Sequence, residues 1–119
     1  MTKYNYKQIA MLVDLFVEEN DSNAFAQLYG LTYNKIYNYA CYYLKDPYLA
    51  QDILQEVYIL VLKNLDTLKN PRLFVSWLHQ ITFRICFDTW QKRKRQEQQK
   101  ETLLLQFRDA MQSVAAALQ

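Results

Sequence analysis

Both prolines of this chain directly follow an Asx residue, as Asp46-Pro47 and Asn70-Pro71, and the chain holds a single glycine, Gly30. An Asx side chain accepts hydrogen bonds from the first amides of a helix. Proline's fixed φ and missing N–H suit the first helical position. Each pair therefore marks a helix start. With so few chain-breaking residues and an apolar share of 51%, disorder is excluded, and so is an all-β fold, which needs turn residues at frequent intervals. A chain of 119 residues supports one modest core, and the expectation is an all-α, compact helical bundle of four to five helices.

Helical spacing fills in the elements. Over residues 6–19, Ile9, Leu12, Val13, Phe16 and Val17 form an amphipathic stripe that ends at Asn20-Asp21-Ser22, a break that also caps the next helix. On that second helix Phe25, Leu28, Tyr29, Thr32, Ile36, Ala40, Tyr43 and Leu44 share a face. Gly30, inside it, is expected to mark a close helix crossing, because glycine within a helix costs about 1 kcal/mol relative to alanine. Tyr33, Tyr37, Tyr39, Tyr42 and Tyr48 make this region rich in tyrosine. The reading is amphipathic cover at the core edge rather than a base-stacking surface.

The helix from Pro47 to Leu65 divides into two faces. Leu49, Ile53, Val57, Leu60, Val61 and Leu65 recur in three- and four-residue steps and face the core. The opposite stripe, Asp52, Gln55, Glu56, Ile59, Leu62 and Lys63, starts polar and ends apolar. That mixture fits either a protein-docking surface or a second intramolecular contact. The helix from Pro71 to Arg95 is apolar almost all round: Phe74, Leu78, Ile81 and Ile85 make one stripe, and His79, Phe83, Cys86, Phe87 and Trp90 another, with Trp77 near the start. Such a helix is central to a bundle or lends one side to a partner.

The net charge of +2 conceals an asymmetry. Residues 1–66 carry five basic and eight acidic side chains, residues 67–95 seven and one, and residues 96–119 two and three. The middle segment, with Lys69, Arg72, Arg84 and the run Lys92, Arg93, Lys94, Arg95, points to a polyanion partner. Its interleaved rings and cations suit single-stranded nucleic acid, although cations at a helix C-terminus also complement the helix dipole.

Other function classes find no support. One histidine and two cysteines, each cysteine in an apolar helical pattern, suggest buried reduced thiols and no metal site. One glycine cannot build a phosphate loop, and no cofactor or catalytic constellation is visible. No run reaches the ~18 apolar residues of a membrane span, and no cleavage site follows the first residues, so a cytoplasmic, non-enzymatic protein is expected. After the polar QEQQKE, which either extends the helix or forms a linker, Leu104, Phe107, Met111, Val114 and Leu118 form a seam that needs a partner.

Taken together, DPYLAQDILQEVYILVLKNLDTL and LFVSWLHQITFRICFDTWQKRKR resemble region 2 of bacterial extracytoplasmic-function (ECF) sigma factors. The likeness rests on Asp52-Ile53-Leu54-Gln55-Glu56-Val57-Tyr58 in the first stretch. In the second it rests on Phe74, Trp77, Leu78, Ile81, Ile85, Asp88 and Arg93–Arg95. AFAQLYGLTYNKIYNYACYYLKDP resembles the family's opening helix, and coverage runs from Ser22 to Arg95. The resemblance implies that Asp52, Gln55 and Glu56, supported by Ile59 and Leu62, dock on the β′ clamp helices of the RNA polymerase core. It implies that the loop from Asp66 to Arg72 and the following helix recognise and help melt the promoter's minus-ten element on the non-template strand. Lys69, Asn70, Arg72, Trp77, His79, Arg84, Trp90, Lys92, Arg93, Lys94 and Arg95 are the expected DNA-binding residues, and an anti-sigma factor is a further implied partner.

The sequence departs from the family at Gln80, where Arg is usual, at Arg84, where Asn is frequent, and at His79, where Tyr is common. The loop DTLKNPR lacks the usual glycine. Nothing resembles region 4, so residues 1–95 read as a region 2-like domain and 96–119 as linker and amphipathic helix, expected either in a fragment cut after the linker or in a one-domain relative, the former being favoured. Two rival functions remain: a polymerase-binding regulator or decoy without promoter recognition, and a dimer assembled through the Leu104–Leu118 seam.

Overall fold

The computed structural model describes residues 4–118. Four α-helices carry the chain: α1 (Tyr6–Glu19), α2 (Ser22–Leu44), α3 (Pro47–Asn64) and α4 (Phe74–Ala117). Two single-turn 3-10 helices, Leu65–Thr67 and Pro71–Leu73, link α3 to α4. All regular structure among the described residues is helical, as the scarcity of turn residues requires.

Asx residues start the first three helices. Asn5 accepts from the Gln8 N–H, Asp21 from the Asn23 and Ala24 N–H groups, and Asp46 from the Tyr48 and Leu49 N–H groups. A cap of this kind stabilises a helix by about 1 kcal/mol. The C-termini of α1 and α2 stop at Asn20 and Lys45, both left-handed, with φ of 53° and 54°. The second Asx-Pro pair behaves differently from the expectation of an α-helix beginning at Pro71. Asn70 accepts from the Arg72 N–H, and its own carbonyl takes the Leu73 N–H at 2.9 Å, which closes a tight 3-10 turn before α4 begins at Phe74.

The chain divides into two compact units, Met1–Cys86 and Phe87–Gln119. In the first, α1 contributes Ile9, Leu12 and Val13 to the core, α2 contributes Leu28, Ile36 and Ala40, and α3 contributes Ile53, Val57 and Val61. Leu65, Phe74 and Leu78 complete it with no measurable exposure. Leu49 and Leu60, expected inside, are only half-buried, and Leu54 and Tyr58 take core positions instead. In the second unit α4 runs unbroken through QEQQKE, because Gln, Glu and Lys are good helix formers and nothing there stops a helix. The chain thus extends the helix where the sequence left a linker open.

Two side-chain hydroxyls inside the core are satisfied locally. Thr32 and Thr82 donate to the Leu28 and Leu78 carbonyls, each at 2.8 Å, one helical turn back. Thr32 is also hydrogen-bonded to the Tyr58 hydroxyl, tying α2 to α3.

Gly30 does not mark a close crossing. A Cβ placed there meets nothing within 4 Å, and the residue is exposed within α2. Its helical backbone is open to any L-residue, so Gly30→Ala should stabilise the chain by roughly 0.5–1 kcal/mol, read as an upward shift of the urea midpoint at unchanged slope.

Candidate functional site

The face of α3 opposite the core presents Asp52, Gln55, Glu56, Ile59 and Leu62, all exposed. Ile59 and Leu62 keep 46% and 47% of their surface in water, although α3 buries six other side chains. Apolar side chains left outside a helix that already has a satisfied core face are unexplained by folding.

This stripe borders a groove of about 480 Å³ between α2 and α3. Gln51, Gln55, Ile59 and Leu62 of α3 form one wall, Phe25 and Tyr29 of α2 the other, and Leu54 and Tyr58 lie at its base. Tyr29 meets the Tyr58 ring edge to face at 4.7 Å and stacks on Tyr33 at 5.4 Å. Burial raises the Tyr58 phenol well above its ordinary value, the hydrogen bond to Thr32 opposing that rise in part. The Tyr58 hydroxyl therefore stays protonated, as its buried hydrogen bond needs. Sequence reasoning placed Phe25 and Tyr29 on the core face of α2 and so missed them as groove residues. Their i, i+4 spacing gives the pairing, but only the position of α3 turns their outer edges into a wall.

The residues expected to touch DNA fall into three settings. Lys69, Asn70 and Arg72 sit exposed in the connection between α3 and α4. The Asn70 side-chain oxygen already accepts from the Arg72 N–H at 3.1 Å, so its amide N–H₂ is what remains to donate outward. On α4 within the first unit, Arg84 is exposed, whereas Trp77 and His79 are half-buried. Trp77 packs on Phe74 at 6.1 Å. His79 lies edge-on to Tyr4 at 6.2 Å, and Lys35 places its Nζ 4.1 Å from the centre of the same Tyr4 ring. Burial, reinforced by the Lys35 charge, lowers the His79 pKa below its ordinary 6.5.

The remaining residues lie in the second unit. Trp90 is exposed, its ring stacked on Phe87 at 6.3 Å and 27°, with Lys94 Nζ 4.9 Å from the Trp90 centroid. Lys92, Lys94 and Arg95 are exposed and Arg93 is half-buried. Phe87, read as one more member of an apolar stripe, is the second ring of an exposed aromatic pair beside four cations. That arrangement can stack bases and neutralise phosphates.

Two free thiols complete the titratable inventory of interest. Cys41 is half-buried, and Cys86 is buried, with its pKa raised by desolvation to about 11. Among the described residues no cluster of His, Cys, Asp and Glu could hold a metal ion, and no helix is long and apolar enough to cross a membrane.

Residues 28–96 match the family model described as sigma-70 region 2. Over 78 residues the chain is 32% identical to the ECF RNA polymerase sigma factor SigW of Bacillus subtilis (strain 168), a match that covers 66% of this chain and 42% of SigW. Over 70 residues it is 31% identical to the ECF RNA polymerase sigma factor SigX of the same organism, 59% of this chain and 36% of SigX. The chain thus spans about two fifths of the length of these curated relatives. No solved structure matches it significantly.

The setting of His79 gives a signed expectation. A lowered pKa means that the unfolded chain binds the proton more readily, so this contribution to stability is complete above pH 6.5 and is lost as the pH falls through the folded value. Thermal melts should show a decline on acidification below pH 6.5 that is shallower in His79→Gln.

Proposed function

The chain belongs to the sigma-70 region 2 family, and from that premise we propose that it is the core domain of an ECF-type sigma factor. It binds the RNA polymerase core through the β′ clamp helices and engages the promoter's minus-ten element to start transcription. The observation that carries the reading is the outer face of α3. Asp52, Gln55 and Glu56 supply charge and hydrogen-bonding groups, and Ile59 and Leu62 supply apolar area beside them. This is the composition of an interface core with a polar rim.

The nucleic-acid half of the reading rests on the cations and rings that follow. Lys69, Asn70 and Arg72 are exposed between α3 and α4, and Arg84 is exposed on α4. In the second unit Phe87 and Trp90 offer stacked rings beside Lys92, Arg93, Lys94 and Arg95. Unpaired bases stack on such rings, and phosphates follow the cations. Trp77 and His79, being half-buried, act by supporting this surface and contact a strand only through their exposed edges. The protein contributes no catalytic step, since it directs the polymerase's own chemistry. An anti-sigma factor is a further partner of this kind of domain.

A second reading has its own observation. In the second unit Leu104, Phe107, Met111, Val114 and Leu118 are all exposed, from 45% to 83%. A dimer through this seam, without promoter recognition, would show a concentration-dependent mass in sedimentation.

Changing Asp52, Gln55 and Glu56 together to Ala should abolish binding to the isolated β′ clamp-helix segment while leaving helicity and melting unchanged, because all three side chains are exposed. Binding by the triple variant equal to that of the parent chain would remove the α3 face from the proposal. Replacing Lys92, Arg93, Lys94 and Arg95 with Ala should reduce the dependence of single-strand affinity on salt. The log–log slope should flatten by about 0.7 for each phosphate that is no longer neutralised. An unchanged slope would place the phosphate-binding cations elsewhere.

A further inference from the structure

Every residue of α4 from Lys94 to Ala117 is exposed, so this part of the second unit is a helix that buries no side chain. Helices in water draw most of their stability from packing one amphipathic face, and this one has such a face. Leu104, Phe107, Met111, Val114 and Leu118 follow one another in alternating steps of three and four. That alternation averages 3.5 residues, the repeat of a left-handed coiled coil, whose partner helix must carry the same repeat. Leu104, Met111 and Leu118 take the a positions, and Phe107 and Val114 the d positions. One heptad earlier the same register puts Glu97 at a, Lys100 at d and Glu101 at the flanking e position.

We propose that this seam pairs with the seam of a second copy of the chain, the two α4 helices running parallel and in register. The proposal rests on the dimer reading above and deepens it by fixing the direction of pairing. It carries no requirement that promoter recognition be lost, because the α3 face belongs to the first unit. Three features select a second copy as the occupant. In a parallel pair all five apolar side chains meet their counterparts, whereas an antiparallel pair, which matches a with d, aligns four at most. The antiparallel register that sets Leu104 on Val114 also brings Arg108 beside Arg108 of the other copy. Small side chains flank the layers, Ala110 and Ala117 at g and Ala115 at e, so the two backbones can approach closely. The third feature is charge. A d side chain seats in a hole made by four residues of the facing helix, and for Lys100 in a parallel pair that hole contains Glu97 and Glu101 of the second copy.

The test is sedimentation equilibrium of the full chain over a range of concentrations. The expected result is a mass that rises from 14.3 kDa toward twice that value. Met111→Glu, at a position exposed in the single chain, should hold the mass at 14.3 kDa throughout, and Met111→Leu should keep the rise. Direction is read from Leu104→Cys, Met111→Cys and Val114→Cys chains, mixed and oxidised, with the parent chain as control for Cys41 and Cys86. Peptide mass spectrometry should find each position linked predominantly to itself. Links that join position 114 predominantly to 104 or 111 show an antiparallel pair and overturn the proposal. A parent chain that keeps the single-chain mass at every concentration overturns it as well, and so does a dimer that survives Met111→Glu. A monomeric parent chain whose binding to the RNA polymerase core is lost in Met111→Glu makes the seam a polymerase contact and overturns the pairing. Binding of the β′ clamp-helix segment, measured on the same Met111→Glu chain, should equal that of the parent, so failure of the pairing and failure of the α3 docking reading are told apart.

Discussion

The rotation of α3 about its own axis is the constraint on which the rest of the first unit depends. Ile53, Val57 and Val61 must leave water together, and Tyr58 goes with them, carrying a hydroxyl into the core. Leaving that hydroxyl unpaired costs roughly 1–3 kcal/mol, and Thr32 on α2 satisfies it. A helix turned by one residue would move every side chain by about 100°, breaking this bond and submerging Asp52 or Glu56. The outward direction of the Asp52–Leu62 stripe follows from what the opposite face has to bury.

The same logic explains why the groove beside the stripe is two-sided. Tyr58, held by Thr32, brings its ring against Tyr29, and Tyr29 stacks on Tyr33. The ring contacts on both sides place Tyr29 in the groove wall. The outer face of α3 thus presents carboxylates, an amide and two aliphatic side chains beside an aromatic edge.

Charge separates the two proposed surfaces as clearly as packing does. The stripe on α3 is acidic, while the residues that follow it in the chain carry the basic excess. A polyanion is thus repelled by one surface and attracted by the other. Aromatic side chains accompany the cations in both units: Phe83 beside Arg84 in the first, Phe87 and Trp90 beside Lys94 in the second. In each case rings stay exposed although apolar area favours burial.

What the sequence determined by itself is whatever depends on neighbours in the chain. The Asx caps at Asp21 and Asp46, the helical spacing of Ile53, Val57 and Val61, the outward stripe from Asp52 to Leu62 and the basic excess of residues 67–95 are all local patterns. Local patterns survive whatever tertiary partner arrives. Tertiary structure decided the questions on which local pattern is silent. An all-round apolar helix carries no signal for its inner side, and packing chose to bury Leu78, Ile85 and Cys86 of α4 while leaving Phe83 outside. Tyr58 lies four residues after Leu54 and three before Val61, a spacing that allows burial of its ring, but only Thr32, 26 residues earlier, supplies the partner its buried hydroxyl needs. Gly30 suggested a crossing that no neighbouring helix makes. Phe25 and Tyr29 became groove walls because α3 lies beside them. Each outcome depends on which distant surface arrives to cover a side chain, and burial free energy is a property of that pairing rather than of either segment alone.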